Sequence, residues 1–69
     1  MSVAKIIEIS SASETSFQDA IEQGIQRVNK TVKNVEGVWI KEQKVEVKNG
    51  SIVSYRVDMK VTFLLNDDA

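Results

Sequence analysis

The stretch VWIKEQKVEVKNGSIVSYRVDMKVTFLL, residues 38–65, decides the fold. Two β-rich runs, 38–47 and 52–65, flank the pair Asn49-Gly50, which is the preferred pair for a two-residue type I′ hairpin turn. In the second run, seven apolar side chains occupy alternate positions: Val53, Tyr55, Val57, Met59, Val61, Phe63 and Leu65. Strict alternation is typical of a strand with one face in the core. The sequence therefore predicts an antiparallel hairpin with one buried face.

A two-residue turn also predicts which side chains lie opposite each other. Counting outward from Asn49-Gly50 gives, on one face, the pairs Gln43–Arg56, Lys41–Asp58 and Trp39–Lys60. The core face then has the pairs Ile40–Met59 and Val38–Val61. The face away from the core is predicted to carry apolar residues among charged ones: Trp39, Val45, Val47, Ile52 and Leu64. An uncovered Trp and several aliphatic side chains on a sheet face indicate an interface or a ligand surface.

The N-terminal half predicts one more strand and one helix. Residues 3–10 read as a strand that is apolar on both faces, which suggests that a neighbouring subunit covers the second face. A helix is predicted over residues 14–34, with Ser11 and Glu14 at capping-box spacing, Ser13 as an equally good N-cap and Gly37 as the stop. Its apolar stripe includes Gly24, which is expected to let a strand approach closely. The prediction is an α+β fold, a single β-α-β-β domain over residues 1–69 with a three-stranded antiparallel sheet wrapped on one helix.

The composition indicates how the fold is stabilised and excludes several classes of function. A chain of 69 residues buries a marginal core by itself, and it has no cysteine for disulfides and no histidine for a Cys/His zinc site. Oligomerisation is therefore the expected stabiliser. A net charge of −1 without a basic stripe argues against a nucleic-acid partner, and no apolar run reaches membrane-span length. We expect a cytoplasmic homo-oligomer. We expect no enzymatic activity, because no nucleophile–base pair or carboxylate cleft is evident in the sequence.

An ordered set of short segments resembles the dodecin family over nearly the whole chain. The segments are Lys5-Ile6-Ile7-Glu8-Ile9, Ser13-Glu14 with Phe17 and Ala20-Ile21, Lys30-Thr31-Val32-Lys33-Asn34, Glu42-Gln43 and the closing run over residues 54–63. The resemblance implies a hollow homododecamer that stores flavin (FMN or riboflavin) without turnover. In flavin-binding members a Trp stacks on the isoalloxazine ring and a Gln hydrogen-bonds its edge. Those positions fall on Gly37 and Arg56 here, which is similar to a branch of the family that is associated with calcium.

Two groups of candidate site residues follow. For a flavin at inter-subunit sites, which is the favoured hypothesis, the cofactor-binding candidates are Trp39, Arg56, Gln43 and Gly37. Trp39 offers an aromatic plate or fills a subunit contact, and Arg56 binds phosphate or forms an interface ion pair. For calcium, the alternative ligand, the oxygen donors are Glu42, Glu46 and Asp58, which otherwise pair across strands with lysines. A purely structural oligomer is the remaining alternative.

Overall fold

The computed structural model describes residues 3–65, which form three strands and one helix. The elements are β1 (Ala4–Ser13), α1 (Phe17–Asn29), β2 (Val35–Lys48) and β3 (Ser51–Leu64). All strand pairs are antiparallel, and β3 lies between β1 and β2. The predicted β-α-β-β order and the antiparallel sheet packed on one helix are confirmed.

The hairpin turn has the predicted type. Asn49 and Gly50 both have positive φ angles, 52° and 78°, and Lys48 pairs with Ser51 around them. Two successive positive φ angles define a type I′ turn, whose twist matches that of the flanking strands. The turn therefore places β2 and β3 side by side along their full length.

The strand register differs from the predicted one in the middle of the hairpin. Trp39–Lys60, Ile40–Met59 and Val38–Val61 are paired as predicted, but Glu42 rather than Lys41 faces Asp58. Arg56 faces Lys44, so the predicted Gln43–Arg56 and Lys41–Asp58 pairs are wrong. The cause is a β-bulge at Lys41, which adds one residue to β2.

A second bulge compensates for the first. Glu46 pairs with Ser54 and Val47 with Ile52, which leaves Val53 as the extra residue in β3. Because the two bulges add one residue each to opposite strands, their effects on the register cancel. The pairs predicted by counting from the turn are therefore correct again at Trp39–Lys60. The bulge at Lys41 moves Gln43 and Val45 to the face that carries Val57, contrary to the prediction for that face.

The helix is shorter than predicted at both ends. Its N-cap is Ser16, whose Oγ accepts a hydrogen bond from the Asp19 N–H at 3.0 Å. Ser13 instead donates to the Asp19 carboxylate at 2.6 Å from the end of β1, so neither the Ser11–Glu14 box nor Ser13 caps the helix. The helix ends at Asn29, and Gly37 lies within β2 rather than at the helix stop. Asn34, with a φ of 65°, makes the turn into β2.

The core lies between the helix stripe and the central strand. Ala20 of α1 and Val57 and Met59 of β3 are fully buried. Gly24 allows this contact, because a Cβ there would lie 2.6 Å from Met59 Cε. The predicted close approach at Gly24 is confirmed.

The protomer is elongated because the β2–β3 hairpin extends beyond the end of β1. The last β1 pair is Ser13 with Tyr55, so residues 46–54 form a two-stranded ribbon, here called the hairpin tip. The principal extents of the protomer are 56 × 19 × 13 Å. Val47, Ile52 and Val53 of the tip are exposed, so Val53 does not belong to the buried part of the predicted core face.

Candidate functional site

The candidate site lies on the sheet face that points away from the helix, here called the outer face. Met59 and Val57 pack against α1, so the alternate residues of β3 project to the other side. Paired residues share a face, which extends the outer face to β1 and β2. It carries Glu8 and Ser10 of β1, Arg56, Asp58, Lys60 and Thr62 of β3, and Gly37, Trp39, Glu42, Lys44 and Glu46 of β2.

A groove of about 460 Å³ opens on this sheet, where the first bulge has shifted the register. It is lined by Glu42, Gln43, Lys44, Arg56 and Asp58. Four of the candidate residues from the sequence line this groove. Arg56 from the flavin set and Glu42 and Asp58 from the calcium set do so from the outer face, whereas Gln43 belongs to the pair that lies on the Val57 face.

Like charges face each other across the two strands in this groove. Glu42 lies opposite Asp58, and Lys44 lies opposite Arg56. Like charges directly opposite on a sheet are destabilising, whereas diagonal neighbours of opposite sign partly offset this cost. The arrangement gives the groove an anionic pair and a cationic pair, side by side, with a summed formal charge of zero.

No ion pair within residues 3–65 involves the four charged side chains of the groove. Within residues 3–65 the one ion pair is between Lys41 Nζ and Glu8 Oε2, at 2.8 Å, and it spans the sheet from β2 to β1. The hydrogen bond from Lys41 to Glu8, together with the negative charge of Glu8, raises the pKa of Lys41 above its ordinary value. Glu42 and Asp58 make no ion pair within the described part of the chain, so this anionic pair is open to a cation.

Arg56 is fixed by a residue that the sequence did not single out. Its Nη1 donates a hydrogen bond to Ser10 Oγ at 3.0 Å, across from β3 to β1. The residue opposite it in β2 is Lys44, not Gln43. This hydrogen bond holds the Arg56 guanidinium at the surface of the sheet, where Arg56 lines the groove.

The other candidate residues lie on the outer face but do not line the groove. Trp39 pairs with Lys60, which is the next pair after Glu42–Asp58 on the outer face, and Trp39 is 67% exposed. Gly37 pairs with Thr62, so Gly37, Trp39 and Arg56 all lie on the outer face. Glu46 faces Ser54 in the hairpin tip, beyond the groove.

Sequence reasoning missed Lys44 and Ser10 because both depend on the register. The unbroken polar run Lys41-Glu42-Gln43-Lys44 interrupts the alternation of β2 and is the signal that could have indicated a bulge. The adjacent apolar residues Ile52 and Val53 are the corresponding signal in β3. Ser10 gave no signal of its own, since its contact with Arg56 joins strands that are far apart in the sequence.

The family model for dodecin matches residues 3–66. This chain belongs to the dodecin family. The calcium dodecin of Mycobacterium tuberculosis is 32% identical over 63 residues, which cover 91% of this chain and 89% of that protein. The family that the sequence resembles is therefore confirmed.

Solved structures agree with the fold of this dodecin family member. A crystal structure described as a calcium-chelating antigen, the calcium dodecin of M. tuberculosis with a novel calcium-binding site, has a TM-score of 0.80 and 29% identity, covering 97% of this chain and 96% of that chain. A dodecin from Streptomyces davaonensis has a TM-score of 0.89 and 27% identity, covering 96% and 97%. A point variant of the Thermus thermophilus dodecin has a TM-score of 0.91 and 25% identity, covering 97% and 100%.

Across residues 3–65, no three acidic side chains converge as a group that could hold a metal ion. Over the same residues, α1 falls short of the length and apolar character that a membrane-crossing helix needs. Within the described residues, the outer-face groove brings two carboxylates and two cationic side chains together.

Proposed function

We propose that this chain is a non-enzymatic binding protein that assembles into a homo-oligomer, a dodecamer as the family resemblance implies, and holds a divalent cation. The cation is calcium, and its first ligands are Glu42 and Asp58. The observation that carries the proposal is the opposition of these two carboxylates in the groove without an ion pair in the described part of the chain. The similarity to a protein named calcium dodecin supports the choice of ion.

The donor chemistry fits calcium, but one protomer does not complete the site. Calcium takes about six to eight oxygen ligands, and carboxylates are among its preferred donors. Two carboxylates in one protomer leave most positions to water, backbone oxygens or further copies of the chain. A site shared between copies would couple calcium binding to assembly, because a ligand that binds only the assembled form stabilises it.

The first test is calcium binding by isothermal titration calorimetry on the purified oligomer and two neutral variants. We expect Glu42→Gln and Asp58→Asn each to reduce calcium affinity at least tenfold, since each removes a charged ligand. The matched control is Glu46→Gln, which removes a carboxylate from the same strand and face but outside the groove. Light scattering on each variant separates lost binding from lost assembly. Unchanged affinity in Asp58→Asn with the assembly intact would contradict the proposal.

Flavin binding is the second candidate, and the exposure of Trp39 favours it. Trp39 is 67% exposed on the outer face, next to the groove that contains Arg56. Its indole can stack on a planar ring while the Arg56 guanidinium contacts a phosphate of the same ligand. Titration with FMN and with riboflavin, followed by absorbance and fluorescence, tests this function. Trp39→Ala should abolish binding of both flavins while assembly persists, and Arg56→Gln should weaken FMN more than riboflavin.

One substitution separates the two functions by the sign of its effect. Lys44 lies beside the anionic pair, so Lys44→Gln should strengthen calcium binding by a few-fold, because it removes a positive charge near the cation. The same substitution should weaken FMN binding, because it removes a positive charge that attracts phosphate. If Lys44→Gln weakens calcium binding in the intact oligomer, calcium does not occupy this groove.

A further inference from the structure

The hairpin turn combines an exposed side-chain amide with an accessible backbone nitrogen. Asn49 and Gly50 are both exposed at the end of the hairpin tip. A Cβ placed on Gly50 would meet no atom within 4 Å, so the space around this residue is open. The N–H of Gly50 makes no hydrogen bond to any of residues 3–65. Nothing in the described part of the chain therefore blocks or occupies the Gly50 nitrogen.

We propose that Asn49 is a site of spontaneous covalent modification by deamidation. The Gly50 backbone nitrogen loses its proton and forms a bond to Cγ of Asn49. The Cγ–Nδ2 bond breaks, and the side-chain nitrogen takes up a proton and leaves as ammonia. The product is a five-membered succinimide, which water opens at either carbonyl. One opening gives aspartate, and the other gives isoaspartate, in which the main chain runs through the former side chain. Water is the co-reactant, and no oxidant or reductant takes part.

Glycine at position 50 is the reason that this asparagine reacts before the others. A side chain on the following residue crowds its nitrogen, and glycine has none. Asn29 and Asn34 of the described chain are followed by Lys30 and by the β-branched Val35. Both of those neighbours hinder the approach of the nitrogen, so the two asparagines serve as internal references.

The turn lies at the end of the hairpin tip, where local opening allows the succinimide ring to close. A type I′ turn holds its dihedral angles, so the turn must open locally before the nitrogen reaches the side chain. The tip is a two-stranded ribbon without the third strand, since β1 ends opposite Tyr55. Within one protomer, such a two-stranded segment with exposed side chains has a lower local stability and opens more readily than the three-stranded part.

The modification changes both the charge and the shape of the tip. Either product replaces a neutral amide with a carboxylate and makes the net charge one unit more negative than −1. Isoaspartate also adds a carbon to the main chain inside a two-residue turn. The Lys48–Ser51 pair that closes the turn cannot keep its geometry around the longer connection.

The test is timed incubation of the full-length protein at mildly alkaline pH and physiological temperature. Peptide mapping with acidic digestion locates the mass increase that accompanies the exchange of an amide for an acid. An isoaspartyl methyltransferase assay detects the isoaspartate product. We expect modified Asn49 to accumulate at least tenfold faster than modified Asn29 or Asn34, with isoaspartate present.

The matched control is Asn49→Gly, because Gly-Gly also forms a type I′ turn but has no side-chain amide. It should leave the fold unchanged, by circular dichroism, and abolish the mass increase and the isoaspartate signal of the tip peptide. Modification of Asn49 at the rate of Asn34, or a whole-protein isoaspartate signal that is undiminished in Asn49→Gly, would overturn the proposal.

Discussion

Single residues decide how closely the helix lies on the sheet. Gly24 faces Met59, which is fully buried, and a Cβ at position 24 would also lie 3.2 Å from Ser11 Cβ. The terminal methyl of Met59 is flexible, but it has no exposed space into which to move. Gly24 therefore allows α1 to pack closely against β3, although glycine costs about 1 kcal/mol in helix propensity relative to alanine.

Gly24→Ala is expected to destabilise the protein. Overpacking a core costs typically about 1–3 kcal/mol, and the gain in helix propensity offsets about 1 kcal/mol of it. The measurement is the midpoint of denaturant unfolding at a fixed protein concentration, since an oligomer unfolds in a concentration-dependent way. Gly37→Ala is the control, because a Cβ at that position meets nothing within 4 Å. Equal midpoints for the two variants would show that the Gly24 contact is unimportant.

At the scale of elements, short serine-rich connections set where the helix begins. The cluster around residues 10–16 contains several possible N-caps, and local sequence does not rank them. The long β1 strand, which continues to Ser13, excludes the earlier ones because their backbone is paired with β3. Ser16 is the first serine beyond the strand, and it caps the helix through the Asp19 N–H.

Ser16→Ala is therefore expected to cost about 1 kcal/mol of stability, the usual value for losing an N-cap side chain. Thermal unfolding followed by far-ultraviolet circular dichroism measures this loss. Thr15→Ala, at a neighbouring exposed residue whose side chain does not cap the helix, should change the unfolding temperature much less. A larger effect at Thr15 than at Ser16 would place the cap elsewhere.

On the scale of the whole molecule, the protomer leaves much apolar surface uncovered. Ile6 on β1, Trp39 on β2 and Val47 and Ile52 in the hairpin tip are all exposed. A chain of this length has little core to stabilise it, and it has no disulfide. Covering these side chains by further copies would add the missing apolar burial, which is the physical basis for the proposed oligomer.

Val47→Lys tests the oligomer directly. Val47 is 61% exposed in the protomer, so a lysine there should cost the isolated fold little. If another copy covers the tip, the buried charge should shift the protein to smaller assemblies. Size-exclusion chromatography with light scattering measures the mass, and Gln26→Lys on the exposed side of the helix is the control. An unchanged mass for Val47→Lys would remove the tip from the interface.

Local sequence determined the elements of this protein. The Asn49-Gly50 turn, the alternation in β3 from Tyr55 to Phe63 and the apolar stripe of α1 were predicted, because each depends on residues near each other in the sequence. The close approach at Gly24 was predicted from a glycine within that stripe, although its partner Met59 is distant in the sequence. The family was also recognisable from the ordered segments. Strand pairs near Trp39 were predicted correctly only because the two bulges cancel.

Tertiary structure alone decided the arrangement of the candidate site. The bulge at Lys41 places Glu42 opposite Asp58 and Lys44 opposite Arg56, and contact between distant strands joins Arg56 to Ser10. A bulge depends on how one strand fits its partner and on how both fit the helix, which no single segment specifies. One extra residue in a strand moves every following side chain to the other face of the sheet. The fold therefore determines which of the charged residues in the sequence line the groove.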